Sequence, residues 1–246
     1  MLPAGFDPAF FMNKRLYCIF NLISKNSIGV LDVGTDHGFI PIALAEDNFS
    51  GNIIATDINS LPLSRAVMLA EKRGVCDRIC FQVFDGLNTA YKDMVDTIVI
   101  AGMGGDLICS IIDHGDWILD HSYSLILQPM SKPEVLRYYL INNGFTIRSE
   151  NRIMEKNRIY TIIDCFFSDK NSSSYSTLDL YLGKTPHGEE SALYLDQLNI
   201  LLAECRKIIG GKNREYTPEI QFYRDLEKQI VHMQSTYWEK EHVSEE

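Results

Sequence analysis

No stretch of this chain approaches the roughly 20 uncharged apolar residues that a membrane-crossing helix needs, which argues against a helical membrane protein. A secretory signal is also missing. Leu2 to Met12 is mildly apolar, but Asp7 interrupts it, and Lys14 and Arg15 follow it instead of preceding it. A cytoplasmic setting is therefore expected. Basic residues are in deficit, with 23 Lys and Arg against 33 Asp and Glu, for a net charge of -10. That disfavours broad, nonspecific binding of nucleic acid, which draws on counterions released by Lys and Arg. A local basic face stays open, because Arg137, Arg148, Arg152, Lys156 and Arg158 fall in one stretch. Paired cysteine spacing is lacking too. Of the six cysteines only Cys76 and Cys80 are close, and no second pair completes a zinc site, so reduced structural thiols and no metal are expected.

What the chain does have is apolar material for a sizeable core: 46% of its 246 residues are hydrophobic, enough for one large domain with an appendage. Short apolar runs alternate with helical stretches. Strands are expected at Ile28 to Val33, Asn52 to Asp57, Arg78 to Phe84, Val95 to Ala101 and Ser124 to Leu127. Helices are expected at Phe39 to Asp47, Leu61 to Arg73, from Gly105, and at Ser131 to Asn143. This rhythm is the sequence form of a mostly parallel sheet with helices on both faces. It then breaks. Phe145 to Met154 and Arg158 to Phe167 are strand-like runs separated only by Glu155-Lys156-Asn157, a gap that permits an antiparallel hairpin but no parallel crossover. Asn171 to Ser176 reads as a linker, and Glu189 to Ile209 and Pro218 to Trp238 as two amphipathic helices forming an antiparallel hairpin. The expected division is a Rossmann-like α/β domain over 1–168 and a helical, coiled-coil-like appendage over 169–246.

The strongest chemical signal is LDVGTDHG, Leu31 to Gly38. A strand delivers Asp32, and Gly34 and Gly38 bracket a tight turn into a helix, where backbone without Cβ can approach a ligand. Alone the pattern is weak, since it falls short of a dinucleotide fingerprint and an ordinary strand-to-helix turn would look the same. Asp57 closes the next strand about twenty residues on, placed to accept from both ribose hydroxyls of a nucleoside cofactor. That feature is shared by NAD and S-adenosylmethionine and does not choose between them. Asp85 and Gly86, after the third strand, would sit at the adenine. Asp36 and His37 stand where small residues are usual and would project into the site; for His37 a structural role is an equal alternative. Ala101-Gly102-Met103-Gly104-Gly105 ends the fourth strand and implies close backbone approach to a ligand, while Gln128 and Pro129 end the fifth on the same edge.

These segments resemble the bacterial tRNA (adenine(22)-N(1))-methyltransferases. The resemblance is carried by LDVGTDHG, Asp85-Gly86-Leu87, DTIVIAGMGG from Asp96 to Gly105, and LILQPM from Leu125 to Met130. Arg137, Arg158-Ile159-Tyr160 and Asn13-Lys14-Arg15-Leu16 add to it. The chain departs from the family pattern in having Thr35 for Ser, Asp85 for Asn and Met130 for Asn. The resemblance implies a class I methyltransferase fold and S-adenosylmethionine as cofactor, held by Asp32, Gly34, Thr35, Gly38, Asp57, Asp85, Gly86, Ala101, Gly102 and Met103. It also implies methyl transfer to N1 of an adenine in tRNA, with Asp36 and His37 as the candidate catalytic residues. The substrate side would comprise Lys14, Arg15, Arg137 and Arg158 on phosphate, together with Gly104, Gly105, Gln128, Pro129 and Tyr160. A monomer is expected, with a weak dimer as the alternative. The rival readings are a methyltransferase acting on another RNA, a small molecule or a protein, and an NAD-dependent oxidoreductase.

Overall fold

Runs of β-branched and aliphatic residues with no polar alternation specify strands covered on both faces, and four such strands form the centre of the larger unit. The structure is a computed structural model describing residues 12–120, 122–169, 175–186, 191–211 and 217–243. The stretch from Leu2, most of the expected linker (171–174), the first residues of the helix expected from Glu189 and the last residues of the chain lie outside the described residues. Contacts divide the chain into two units, Met1–Ser172 and Ser173–Glu246.

In the first unit the elements run α1 (Lys14–Leu22), β1 (Gly29–Val33), α2 (Phe39–Glu46), β2 (Asn52–Asp57), α3 (Ser60–Arg73), β3 (Cys80–Val83), β4 (Thr97–Gly104), α4 (Gly105–Asp113), β5 (Ser124–Ser131), α5 (Pro133–Asn142), β6 (Phe145–Glu155) and β7 (Arg158–Phe167). They build one seven-stranded sheet in the order β3-β2-β1-β4-β5-β7-β6. β1 to β5 pair in parallel, whereas β7 runs antiparallel to both β5 and β6. The expected hairpin is therefore present, turned by Lys156 and Asn157, both at positive φ (47° and 61°) as a two-residue hairpin turn requires.

Side chains that alternate along each strand feed two cores. Leu31, Ile98, Ile100, Leu125 and Leu127 pack with Ile108 of α4 and Leu136 of α5 on one face. Val30, Val99 and Ile126 pack with Ile19 of α1 and Ile40 and Ile42 of α2 on the other. Both faces of β1, β2, β4 and β5 are thus covered, as parallel sheets require, while the edge strand β3 is largely exposed.

The second unit holds α6 (Thr177–Leu182), α7 (Ser191–Gly211) and α8 (Pro218–Val243). Arg206 bonds Glu227 and Gln234 bonds Asn199, partners whose numbers run in opposite directions, so α7 and α8 are antiparallel. Leu198, Leu202, Leu226 and Ile230 fill the seam. The short α6 was not expected. It starts on a capping box in which Ser176 Oγ accepts from the Asp179 amide and the Asp179 carboxylate from the Ser176 amide. No helix among the described residues is long and apolar enough to cross a membrane.

Candidate active site

The strand order reverses between β1 and β4, and open sheets of this kind bind ligands in the crevice beyond the carboxyl ends at such a point. A cavity of about 300 Å³ opens there. Its walls are the β1–α2 turn, the end of β4, Met130 at the end of β5, and the first turn of α1.

The β1–α2 turn is tied down before any ligand arrives. The Gly34 and Thr35 amides both donate to the Thr56 carbonyl, at 2.8 and 2.9 Å. Gly34 has φ +71°, and a Cβ there would run into the Met103 methyl, so the turn and the end of β4 are packed with no room for a side chain. Asp36 adopts φ +49°, a conformation a non-glycine residue holds only when its surroundings impose it. Its amide donates to Asp57 Oδ2 at 3.3 Å, and the Asn59 amide donates to Asp57 Oδ1 at 2.9 Å. The side chains of Asp36 and His37 stay exposed on the rim, 3.6 Å apart.

Asp32 is the most perturbed acid of the site. It is 5% exposed and accepts one hydrogen bond from Thr35 Oγ1, at 2.6 Å. Burial pushes its pKa from 3.8 up to about 6, the Thr35 bond pulls the other way, and the nearby Asp57 charge adds to the rise. A carboxyl group under that stress gains most from a cationic partner. Asp57, 8% exposed, stands at the end of β2 with both oxygens already accepting amides. Asp85 and Gly86 follow β3 outside the cavity, and Asp85 is exposed. Gly38 caps α2 in the left-handed conformation.

The reversed direction of β7 completes the rim. Because Leu127 pairs with Ile163, the start of β7 lies at the carboxyl end of β5. This brings Tyr160 beneath two guanidinium groups, Arg15 at 5.6 Å and Arg158 at 5.8 Å from the ring centre. Burial lowers the pKa of Arg15, opposed by the charges of Glu155 and Tyr160. Lys14 and Arg158 are exposed.

Several expected substrate contacts are not available. Arg137, expected on phosphate, is 1% exposed, and its Nε and Nη2 reach the Glu150 carboxylate at 2.8 to 3.2 Å. It clamps α5 to β6, because a guanidinium is kept out of water only by a paired carboxylate. Gln128 is 0% exposed and Pro129 is buried as the strand partner of Met103, so neither presents a surface to a substrate. Gly104 and Gly105 do not line the cavity; a Cβ on Gly105 would strike the Lys132 carbonyl, and that packing is what requires glycine there.

The sequence reading missed α1, whose Asn13 and Leu16 line the cavity beside Arg15. A signal for it existed: Asn13 is a competent N-cap, accepting from the Leu16 amide at 2.9 Å, and Leu16, Ile19 and Ile23 recur at helical spacing.

The family model described as a methyltransferase domain matches residues 12–163. The tRNA (adenine(22)-N(1))-methyltransferase of Bacillus subtilis is 26% identical over 234 residues, covering 95% of this chain and 92% of that one. A Streptococcus pneumoniae structure in complex with S-adenosyl-L-methionine superposes with TM-score 0.77 at 28% identity, over 90% of this chain and 98% of the other. A Streptococcus agalactiae protein of the NADB-Rossmann superfamily superposes with TM-score 0.80 at 26% identity, over 90% and 96% of the two chains. The match sets the oxidoreductase reading aside. Fold, cavity and matched residues agree: the chain belongs to the methyltransferase-domain family.

Proposed function

We propose that the chain transfers the methyl group of S-adenosylmethionine to N1 of an adenine in tRNA, at position 22, in the cytoplasm and as a monomer. The observation that carries the reading is the acid-lined cavity at the β1/β4 reversal, on a chain related along nearly its whole length to the Bacillus subtilis enzyme. The site fits the cofactor. A buried carboxyl on Asp32 suits its cationic amino-acid end, and Asp57 suits the ribose hydroxyls. When bound, the cofactor supplies a methyl group on a positively charged sulfur.

Adenine N1 is a neutral nitrogen with a free lone pair, so the protein's task is chiefly to align it with that methyl group. N1 lies on the Watson–Crick edge, and the base must be unpaired or flipped to reach the cavity. Methylation leaves positive charge on the ring. Asp36, an exposed carboxylate on the rim, is the group we assign to accept from the exocyclic amine and offset that charge, with His37 beside it. Replacing Asp36 with Ala should lower turnover about 100-fold or more while leaving the cofactor Kd nearly unchanged; equal turnover in the variant removes Asp36 from the mechanism. Lys14, Arg15 and Arg158 are assigned to tRNA phosphate near the rim, and residues 169–246 to an extended footprint on the folded RNA.

The deciding experiment maps methylated nucleosides in tRNA after incubation with the purified protein and labelled S-adenosylmethionine. Label in 1-methyladenosine at position 22 supports the proposal; label elsewhere, or none, refutes it.

A further inference from the structure

Gln128 lies wholly buried at the end of β5, directly behind the cavity wall, and its carboxamide is used on both sides. Oε1 accepts from Arg15 Nη1 and from the Gly102 amide, the latter at 3.1 Å. Nε2 donates to the Pro129 carbonyl at 2.7 Å and to Met130 Sδ at 3.7 Å. Arg15, Gly102 and Met130 all line the cavity. One side chain that cannot itself reach a ligand therefore touches three walls of the site.

The reason lies in the strand pairing. Ala101 pairs with Gln128 and Met103 with Pro129, so Gly102 is skipped where the β4–β5 register shifts. A skipped residue leaves its amide without a ladder acceptor. Gly102 sits at φ +81°, and the Gln128 side chain supplies the acceptor the bulge lacks. The orientation of the amide is forced. An amide N–H and a guanidinium can only donate, and the Pro129 carbonyl can only accept. Glutamine fits this pattern, and neither glutamate nor an apolar residue does.

We infer that Gln128 is a positioning residue for methyl transfer, which fixes the Arg15 guanidinium and the Gly102 peptide at the cavity so that the target base is held in line. The inference rests on the cavity being the site of methyl transfer to tRNA. Gln128 acts through these two neighbours and contacts neither substrate. Displacements of about 1 Å at a reacting centre cost on the order of 100-fold in rate, so a loosened bulge should appear in kcat before it appears in binding.

The test compares wild type with Gln128→Met, which keeps the length and removes both hydrogen-bonding groups, and Gln128→Glu, which sets a buried carboxylate against the Pro129 carbonyl. Both should bind S-adenosylmethionine in calorimetry within about threefold of wild type and raise the KM for tRNA only slightly, yet lose about 10- to 100-fold in kcat. In Gln128→Met the Gly102 amide should exchange with solvent faster, a readout independent of catalysis. Arg15→Met should lose kcat as well, and the double variant should lose less than the product of the two single losses, because one group acts through the other. Unchanged kcat in Gln128→Met, or fully multiplicative losses in the double variant, overturns the inference. If neither Gln128 variant folds, Arg15→Met decides: a loss confined to KM for tRNA overturns the inference, and a loss in kcat supports it. Failure of the wild type to methylate tRNA refutes the reaction itself, a result distinct from normal turnover by the variants.

Discussion

Replacing Asp32 with Asn should make the ligand-free protein more stable near neutral pH and nearly abolish cofactor binding. In the folded chain the Asp32 carboxyl has its pKa raised from 3.8 to about 6 by burial. A raised carboxyl pKa means that the folded state retains its proton while the unfolded chain has lost it. The native state is therefore free of this cost below pH 4 and loses stability as pH rises through about 6. The full shift corresponds to about 3 kcal/mol above pH 7, and about half of that is already present at pH 5. Asparagine does not titrate, and its carbonyl oxygen can still accept from Thr35 Oγ1. Urea unfolding of wild type and Asp32→Asn at pH 5 and pH 8, without ligand, should thus show the variant's advantage widening toward alkaline pH. Calorimetry should show wild-type affinity for S-adenosylmethionine falling about tenfold from pH 7 to pH 5 as Asp32 takes up its proton. A stability gap that is the same at both pH values, or an Asp32→Asn variant that binds the cofactor normally, would refute the reasoning.

Arg137→Ala should cost about 3–5 kcal/mol of stability by stranding the buried Glu150 carboxylate. Thermal melting reads the loss, and Arg137→Met/Glu150→Met should recover much of it; a melting point within a degree or two of wild type counts against the clamp. Arg158→Ala should weaken tRNA binding and lower the slope of log affinity against log salt by about one. A salt titration of binding that leaves the slope unchanged would remove Arg158 from the phosphate contacts.

The sheet was legible in the sequence because its strands are short apolar runs at regular spacing, and because Glu155-Lys156-Asn157 leaves room only for a hairpin. The β1–α2 turn was legible because Gly34 and Gly38 lie where the chain needs left-handed backbone. What escaped depends on contacts between residues far apart in the chain. Arg137 looks like any helix-surface cation until Glu150, thirteen positions on, is folded against it. Gln128 looks like a polar residue offered at a strand end, and only the register shift at Gly102 explains why it faces inward. α1 was overlooked because its apolar positions are few and its role, walling the cavity, is set by tertiary packing with α2 and the hairpin.

The link between the Asp36 amide and the Asp57 carboxylate bears on how one round of reaction gives way to the next. In the proposed reaction a sugar held at Asp57 would be identical before and after the methyl group leaves, so that contact would not sense whether the cofactor is spent. What differs is one unit of positive charge at sulfur. Three acidic side chains, Asp32, Asp36 and Asp57, surround the same turn. In the proposed reaction the negative charge of the two buried acids, Asp32 and Asp57, would favour the charged reactant over its neutral remainder, so turnover would be biased forward by electrostatics.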